Sequence, residues 1–509
     1  MEEFGNSSIK TGSLNGNESL LINVECEVTN GLPSIVIVGL PSKSVDESKE
    51  RIRSALNNSK LVIPRKRITL NLAPADVPKS GSGFDLPLAI AILQRSGQIR
   101  INPDDYMFVG ELSLSGSLRR VKGALSHAQL ARKLGIKHLI IPIDNSDEAS
   151  LVEGISVIGA SSLKQIVQMF SGEIEIPKAT HRYREQTLRR SRRSKSTDFS
   201  HIRGQEQAKR AMQIVAAGGH NILLSGPPGT GKSMLAKALA SVMPIMNLEE
   251  IIEVTSLHSI AGINDGRIIQ ERPVRSPHHT ASYISIIGGG RNPQPGEISL
   301  SHRGILFLDE LPEYPRQVLE TLRQPMEDHI ISVSRAESKV SYPAQFILVA
   351  TQNPCPCGYY EDPDKECVCT PHQINQYSKR VSGPLLDRID LNVNVARIDQ
   401  SRILEKETTA DQSSTSLIDA IDTARALQAN RYESETILNA YITNQQIIEQ
   451  CLLSESAKDL LDKAAVRMKL SSRAYVKVAK VSRTIADLEN STTIEIPHIA
   501  ESLQYRFKQ

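Results

Sequence analysis

Residues 222–233, ILLSGPPGTGKS, constrain the fold of this 509-residue chain more than any other stretch. The apolar run before the loop predicts a short buried strand, and the sequence MLAKALASVM after it predicts a helix. A strand, a glycine-rich loop and a helix in this order predict a phosphate-binding loop. The loop residues are Gly226, Pro227, Pro228, Gly229, Thr230, Gly231, Lys232 and Ser233. An ordinary glycine turn is the alternative, but it does not account for the complete eight-residue pattern in this local context.

The chemistry of such a loop assigns roles to its last two side chains. Lys232 is expected to pair with the β- and γ-phosphate oxygens of ATP, and the Ser233 hydroxyl is expected to bind Mg²⁺. Backbone N–H groups of the loop and the start of the next helix would hold the remaining phosphate oxygens. The sequence therefore predicts a binding site for ATP and Mg²⁺.

Length and composition set broad limits on the rest of the chain. A chain of 509 residues exceeds one hydrophobic core, so several domains are expected. A net charge of +3 is too small to indicate a class of partner. The N-terminus is polar and acidic, unlike a secretory signal, and no apolar run approaches the ~20 residues of a membrane span. We therefore expect a cytoplasmic protein without a membrane association.

Periodicity divides the chain into four parts. Residues 1–170 alternate strand and helix patterns, which predicts an α/β domain, and LLINVECEVTNGLPSIVIVGL within it predicts a hairpin. Residues 171–200 are rich in arginine and predict a linker, which either contacts phosphate backbones or is a solvated spacer. Residues 201–396 contain the phosphate-binding loop. Residues 397–509 show helical spacing throughout.

A second acidic motif follows the phosphate-binding loop. ILFLDE places Asp309 and Glu310 directly after four apolar residues, as in a Walker B strand. Asp309 would hold Mg²⁺, and Glu310 would act as the general base for the attacking water. Acidic residues at strand ends are common, so this motif gains its meaning from its position after the loop.

The next apolar strand ends at Asn353. A polar residue there is placed to orient the attacking water, although an isolated Asn is more often a turn former. A preceding hairpin carries Arg335 and Lys339. In a ring-shaped ATPase this hairpin would face the pore and contact a nucleic-acid backbone, whereas the alternative is a solvated hairpin.

Four of the six cysteines form two CxC pairs, Cys355 with Cys357 and Cys367 with Cys369. Four thiolates could hold a tetrahedral Zn²⁺ with a structural role, and His372 could replace one of them. CxC is tighter than the usual spacing, and four reduced thiols on a loop are the competing interpretation.

Two arginines are candidates for contact with the γ-phosphate. Arg388 follows the helix-like PLLD and could act as an arginine finger across a subunit interface, or it could pair locally with Asp387 or Asp390. Arg473, in the first turn of a predicted helix capped by Ser471 or Ser472, is the first choice for a sensor-2 residue. Arg483 is the second choice.

The stretches VPKSGSGFDLPLA, VGELSLSGSLRRVKGA and HLIIPIDN resemble the proteolytic domain of Lon-type proteases, which has a Ser–Lys dyad. Gly83 stands where the nucleophilic Ser belongs, and Leu125 stands where the Lys belongs. Nearby candidates are Ser80, Ser82, Lys79 and Lys122. Because neighbouring residues rarely replace a dyad, the resemblance implies a non-proteolytic fold used for assembly or binding.

The ordered set GPPGTGKS, ILFLDE, ATQNPCPCG, SGPLLDRIDL and SSRAYVKVAKVSRTIADLE resembles the ComM/YifB family of magnesium-chelatase-related AAA+ ATPases. The resemblance covers nearly the whole chain. It implies an α/β fold, an AAA+ P-loop ATPase core with a helical lid, preceded by a Lon-protease-like (ribosomal S5 domain 2-like) α/β domain. It also implies Walker A, Walker B, sensor 1, finger and sensor 2 roles for the residues named above.

The function implied by this resemblance is an ATP-driven hexameric motor on single-stranded or branched DNA that promotes branch migration. An AAA+ chaperone that remodels a protein partner is the alternative, as in chelatase motor subunits. An ATP-dependent protease is a third interpretation, and it requires a nucleophile in the first domain.

Overall fold

The computed structural model describes residues 8–77, 79, 81–180, 202, 204–290, 293–335, 338–362, 364–397 and 414–506. Most of the basic segment predicted as a linker, from residue 181 to residue 200, lies outside the described residues, as does Ser80.

The first part of the chain forms an eight-stranded mixed sheet, in the spatial order β10-β9-β8-β5-β1-β2-β4-β3, and a two-stranded ribbon of β6 and β7. The strands are β1 (Ile9–Asn15), β2 (Glu18–Thr29), β3 (Ser34–Val38), β4 (Arg67–Ala73), β5 (Tyr106–Phe108), β6 (Glu111–Leu112), β7 (Leu118–Arg119), β8 (His138–Pro142), β9 (Ser156–Ala160) and β10 (Lys178–Ala179). The helices are α1 (Lys43–Asp46), α2 (Ser48–Asn58), α3 (Asp85–Arg95), α4 (Ala124–Lys133), α5 (Ser146–Ala149) and α6 (Leu163–Phe170). Because β10 pairs with β9, this sheet extends past residue 170.

The prediction that β2 and β3 form a hairpin is wrong. β2 pairs antiparallel with β1 and β4, whereas β3 pairs parallel with β4, with Ile35 opposite Ile68. Between β3 and β4 the chain forms α1 and α2, which gives the long crossover that a parallel pair requires. The local alternation correctly indicates strands, but it does not determine their partners.

The second part of the chain contains a five-stranded sheet in the order β12-β15-β18-β11-β19, and every neighbouring pair in it is parallel. The strands are β11 (Ile222–Ser225), β12 (Val274–Arg275), β13 (Gly288–Gly289), β14 (Gln294–Pro295), β15 (Ile305–Leu308), β16 (Ile330–Arg335), β17 (Ser338–Pro343), β18 (Ile347–Gln352) and β19 (Leu391–Asn394). β13 pairs with β14, and β16 pairs with β17 in the expected hairpin. The parallel arrangement brings the carboxyl ends of β11, β15 and β18 to one edge, where ligands bind in sheets of this kind.

Helices cover this sheet and form the lid. In the core they are α7 (Glu206–Gly218), α8 (Lys232–Val242), α9 (Leu248–Ala261), α10 (Tyr283–Ile287), α11 (Glu297–Leu300), α12 (Arg316–Thr321), α13 (Pro325–Asp328), α14 (Pro371–Ser378) and α15 (Gly383–Leu386). In the lid they are α16 (Ser414–Tyr432), α17 (Asn444–Gln450), α18 (Glu455–Arg467), α19 (Ser472–Leu488) and α20 (Ile496–Gln504). The Ala474 N–H donates to Ser471 Oγ at 3.2 Å, so Ser471 caps α19.

The sequence of residues 316–328, RQVLETLRQPMED, predicts one helix, but the structure has two short helices there, α12 and α13. Pro325 has no N–H to continue a helical hydrogen-bond ladder, but it suits the first position of a new helix. This break places Glu327 on α13, apart from α12.

Helix α9 joins the first domain to the ATPase core. Its Ile251 and Val254 belong to the same hydrophobic core as Leu125 of α4. The Gly123 N–H donates to Ser259 Oγ at 3.0 Å, and Asn264 Nδ2 donates to Glu148 Oε2 at 2.7 Å. The first domain is therefore packed firmly on the core.

Candidate nucleotide site

The phosphate-binding loop lies between β11 and α8, as the sequence predicts. Gly229 has a φ of 80° and Gly231 a φ of 87°, a left-handed backbone that side chains other than glycine rarely adopt. Thr230 Oγ1 donates to the Pro227 carbonyl at 3.0 Å across the turn. These features form the strand, loop and helix N-terminus that bind phosphate groups.

Lys232 points back into the loop and is almost fully buried. Its Nζ donates to the carbonyls of Gly226 at 2.6 Å and Pro227 at 2.8 Å, and to Asn353 Oδ1 at 3.2 Å. Burial lowers the pKa of the Lys232 ammonium, whereas the carboxylates of Asp309 and Glu310 act in the opposite direction. The structure thus joins the predicted Walker A lysine to the predicted sensor-1 residue.

Asp309, at the end of β15, contacts both the loop and β18. Ser233 Oγ donates to Asp309 Oδ2 at 3.1 Å, and Thr351 Oγ1 donates to Asp309 Oδ1 at 2.5 Å. A hydroxyl and a carboxylate are oxygen ligands of the kind that Mg²⁺ prefers. Ser233 and Asp309 therefore fit the magnesium role expected of them.

Thr351 also orients the backbone of Glu310, and sequence reasoning missed it. The Glu310 N–H donates to Thr351 Oγ1 at 3.0 Å, while Thr351 itself is fully buried. Glu310 has a φ of 53°, and its side chain is exposed at this edge of the sheet. A general base must reach a water at the phosphate, and this exposed position permits that. The sequence signal that could have indicated Thr351 is its hydroxyl, two residues before Asn353 on the same predicted strand.

The four cysteines lie close together after Asn353. Sγ of Cys355 is 3.3 Å from that of Cys357 and 3.7 Å from that of Cys367, and the sulfurs of all four, including Cys369, lie within 4.8 Å of one another. Zn–S bonds of about 2.3 Å in a tetrahedron separate sulfurs by about 3.7 Å, so the cluster fits the ion. The exposed His372 is not part of this group.

This cysteine loop packs directly on the phosphate-binding loop. A Cβ built on Gly358 would lie 2.6 Å from Cδ of Pro228, so only glycine allows this approach. The Gly358 N–H donates to the Cys355 carbonyl at 3.0 Å and also approaches Cys355 Sγ at 3.2 Å. Hydrogen bonding to the backbone of Tyr359, which outweighs burial, lowers the pKa of Cys357 to about 6. Because Gly358 of the cysteine loop packs against Pro228, a metal bound by the four cysteines would stabilise one wall of the nucleotide site.

Arg388 and Arg473 lie together in a different place. Both donate to Glu327, Arg473 Nη2 to Oε1 at 2.6 Å and Arg388 Nη2 to Oε2. They line a cavity of about 440 Å³ between core and lid. Among the described residues that line this cavity, none belongs to the phosphate-binding loop or to the acidic pair. Arg388 does not form the alternative local ion pair with Asp387 or Asp390. Asp390 instead accepts a hydrogen bond from the Asn221 N–H and forms an ion pair with Lys477.

Arg483, the second choice for sensor 2, is wrong for that role. Its side chain is completely buried and donates to Asp487 and to the carbonyls of Ser491 and Thr492. Such a side chain stabilises the lid and is not available to a nucleotide.

The hairpin of β16 and β17 carries Arg335 and Lys339 at its tip by register, since Arg335 pairs with Ser338 and Ser334 pairs with Lys339. Ala336 and Glu337 between the strands lie outside the described residues. The register thus confirms the hairpin and the place of these two residues in it.

The two positions predicted to correspond to a protease dyad hold residues without that chemistry. Gly83 has no side chain, and Leu125 is completely buried in the core shared with α9. The described neighbours have other partners: Ser82 donates to Glu111, Lys79 to the Pro74 carbonyl, and Lys122 to the Ala261 carbonyl at 3.4 Å.

A phosphate-binding loop, an acidic pair and a polar strand end on one parallel sheet with a helical lid define an AAA+ ATPase. The family model described as "Magnesium chelatase, subunit ChlI" matches residues 198–403. "Subunit ChlI of Mg-chelatase" matches residues 24–145, and "Magnesium chelatase, subunit ChlI C-terminal" matches residues 411–506.

Full-length relatives identify the family. The chain is 43% identical to competence protein ComM of Haemophilus influenzae over 495 residues, 96% of this chain and 95% of that protein. It is 42% identical to YifB of Escherichia coli over 489 residues, 95% of this chain and 94% of that protein. The chain belongs to the ComM/YifB family of magnesium-chelatase-related AAA+ ATPases. A magnesium-chelatase 38 kDa subunit of Cereibacter sphaeroides is 28% identical over 174 residues, 31% of this chain and 52% of that protein. Within the described ranges, no helix is long and apolar enough to cross a membrane.

Proposed function

We propose that the protein is an ATP-hydrolysing ring motor that acts on single-stranded or branched DNA and promotes branch migration. The observation that carries this proposal is the separation of Arg388 and Arg473 from the phosphate-binding loop of their own chain. Two arginines that line a cavity apart from their own phosphate-binding loop would complete the site of a neighbouring subunit, as arginine fingers do. A closed ring, six subunits by resemblance to the family, gives each site such a neighbour.

Each residue of the site has a distinct part in hydrolysis. Lys232 and the loop N–H groups bind the phosphates, while Ser233 and Asp309 would hold Mg²⁺, which neutralises phosphate charge when bound. Glu310 takes the proton of the attacking water, and Asn353 orients that water. Arg388 and Arg473 of the neighbour stabilise the charge on the transferred phosphoryl group.

The hairpin and the relatives support DNA as the substrate along which the motor moves. Arg335 and Lys339 stand at the tip of β16 and β17, where a nucleic-acid backbone would meet cations. One full-length relative, that of Haemophilus influenzae, is named a competence protein, which fits a role in handling DNA. Hairpins that move with the nucleotide state would draw the strand through the ring.

A protein-remodelling role is the second candidate, because all three family models are those of a magnesium-chelatase subunit. DNA stimulation of ATP hydrolysis separates the two functions, since a protein remodeller should not respond to DNA. A protease is not favoured, because Gly83 and Leu125 occupy the dyad positions.

The test is ATP hydrolysis by the purified protein with and without single-stranded and forked DNA, beside Lys232→Ala. We expect DNA to stimulate hydrolysis and the substitution to abolish it. Hydrolysis that ignores every form of DNA would reject the DNA motor. Arg335→Ala with Lys339→Ala should lower the stimulation and leave basal hydrolysis intact.

We also propose that Cys355, Cys357, Cys367 and Cys369 hold a structural Zn²⁺. The test is the metal content of the purified chain, with one zinc per chain expected and none after Cys367→Ser with Cys369→Ser. Fewer than ~0.2 zinc per chain after purification in zinc-containing buffer would favour four reduced thiols instead.

A further inference from the structure

One carboxylate joins the two arginines that line the cavity between core and lid. Glu327 lies on α13, Arg388 lies between α15 and β19, and Arg473 lies in the first turn of α19. Each guanidinium donates to a different oxygen of Glu327. The arginines come from the core and from the lid, so their common partner fixes the lid relative to the core at this point.

The three side chains differ in exposure, since Glu327 is 49% exposed whereas Arg388 is largely buried. The side chain of Arg388 is only 12% exposed; its Nη1 donates to the Pro384 carbonyl at 2.8 Å, and its Nε has no hydrogen-bond partner in the described part of the chain. The side chain of Arg473 is 52% exposed. Burial opposes ionisation of Glu327, but Arg388 and then Arg473 outweigh it, so the pKa of this carboxyl is lowered.

A charged carboxylate between two guanidinium groups offsets their mutual repulsion and sets their spacing. A guanidinium has five N–H donors in a fixed plane, so an arginine held by Glu327 through one nitrogen keeps other donors for a phosphate. Donors that are already aligned need no reorganisation when charge develops on the phosphate.

We propose that Glu327 is a positioning residue, which holds Arg388 and Arg473 as one unit directed at the nucleotide of the neighbouring subunit. This inference rests on the proposed function, because it assumes that both arginines act across the interface. Glu327 does not touch the nucleotide and acts only through the two arginines.

The first test is Glu327→Gln, which keeps the size of the side chain but replaces one acceptor oxygen by a donor that faces a guanidinium. We expect kcat to fall roughly tenfold or more, since small misplacement of groups at the reacting phosphate has effects of this size. The Kd for ATP should stay within about twofold, because Lys232 and its loop are unchanged. Glu327→Asp keeps the charge and should lose less activity, whereas Asp328→Asn, on the exposed neighbour in α13, should behave as wild type.

The second test asks whether Glu327 acts across the interface. Glu327→Gln subunits have an intact ATP site, and Lys232→Ala subunits have intact arginines. A mixture of the two should therefore hydrolyse ATP faster than either variant alone. The matched control is a mixture of Lys232→Ala and Glu310→Gln subunits. Both substitutions damage the part of the site that the nucleotide-binding chain itself contributes, so neither subunit can repair the other, and we expect no gain in hydrolysis.

The outcomes separate the two levels of the proposal. Wild-type kcat for Glu327→Gln, with Arg388→Ala and Arg473→Ala both inactive, would overturn the positioning role and leave the ring motor in place. Arg388→Ala and Arg473→Ala that both hydrolyse ATP at the wild-type rate would overturn the interface mechanism itself. A mixture with no gain over its components, at an unchanged melting temperature of Glu327→Gln, would also reject the inference.

Discussion

Nζ of Lys232 lies 3.2 Å from Oδ1 of Asn353, so the phosphate-binding loop and the end of β18 are in direct contact. These residues are 121 positions apart in the chain. The contact places the residue that would orient water beside the residue that would bind phosphate. In the proposed mechanism, ATP binding and ATP cleavage would therefore be linked through this one contact.

Asn353→Ala should separate these two steps. We expect kcat for ATP to fall about 10²-fold, since removal of one aligned polar group at a reacting centre has costs of this order. The Kd for ATP should change little, because Lys232 retains the Gly226 and Pro227 carbonyls. Turnover assays and a fluorescent nucleotide titration measure the two quantities. Asn394→Ala, an exposed residue at the end of β19, is the control; an equal fall there would argue for a general disturbance of the sheet edge.

Thr351→Val should weaken the magnesium site, whereas Thr351→Ser should preserve it. Valine removes the hydroxyl that donates to Asp309 and accepts from the Glu310 N–H. A hydrogen bond to a charged group, such as the one that Thr351 donates to the Asp309 carboxylate, contributes about 1.5–3 kcal/mol. We expect the Mg²⁺ concentration for half-maximal hydrolysis to rise in the valine variant. Equal Mg²⁺ titrations for valine and serine would contradict the role of the hydroxyl.

Gly358→Ala should weaken ATP binding through Pro228. Overpacking of this kind costs about 1–3 kcal/mol, so we expect the Kd for ATP to rise roughly fivefold or more. Gly172→Ala is a matched control, because Gly172 has a similar φ of 81° with nothing within 4 Å of the added Cβ. Nucleotide titration of both variants separates the clash from backbone strain, and equal Kd values would show that the contact with Pro228 has no effect.

Glu253→Gln should lower stability at neutral pH but not at strongly acidic pH. Burial opposes ionisation of Glu253, but hydrogen bonds from His302 and Arg303 outweigh it and lower its pKa to about 2. A lowered carboxyl pKa stabilises the fold above the ordinary value near 4.5, and this contribution is lost as the pH falls towards 2.

Thermal unfolding of wild type and Glu253→Gln between pH 7 and pH 2 measures this effect. The midpoint should differ by about 2–4 °C at pH 7, the shift that roughly 1 kcal/mol produces in a domain of 150–250 residues. The difference should vanish near pH 2. Glu249→Gln, on the exposed side of α9, should show no such dependence, and a constant difference for Glu253→Gln at every pH would reject the explanation.

Local patterns predicted most of the residues that the structure brings together in the candidate nucleotide site, because each motif indicates its own chemistry. The order of strand, loop and helix places Lys232 and Ser233, and an acidic pair after an apolar strand places Asp309. Strand partners are a different matter. The sequence alternates in β2 and runs apolar in β3, as in a hairpin, but β3 pairs parallel with β4 after a crossover through α1 and α2.

Contacts between distant segments could not be predicted from the sequence. Glu327 reaches Arg388 across 61 positions and Arg473 across 146, and no local pattern marks a glutamate for such a role. Gly358 and Pro228 are likewise brought together only by the folded sheet. For Arg483 the local pattern was misleading. Its position in a predicted helix of the lid suggested a sensor-2 role, but its complete burial excludes contact with a nucleotide.

The core shared by α4 and α9 has a consequence for synthesis of the chain. Residues 8–180 leave the ribosome first, but Ile251 and Val254, which complete this core, follow about 70 residues later. At about 5–20 residues per second this delay is roughly 4–14 s. During that time the apolar face around Leu125 lacks the side chains of Ile251 and Val254, so we expect the nascent first domain to bind chaperones that recognise exposed apolar surface until α9 emerges.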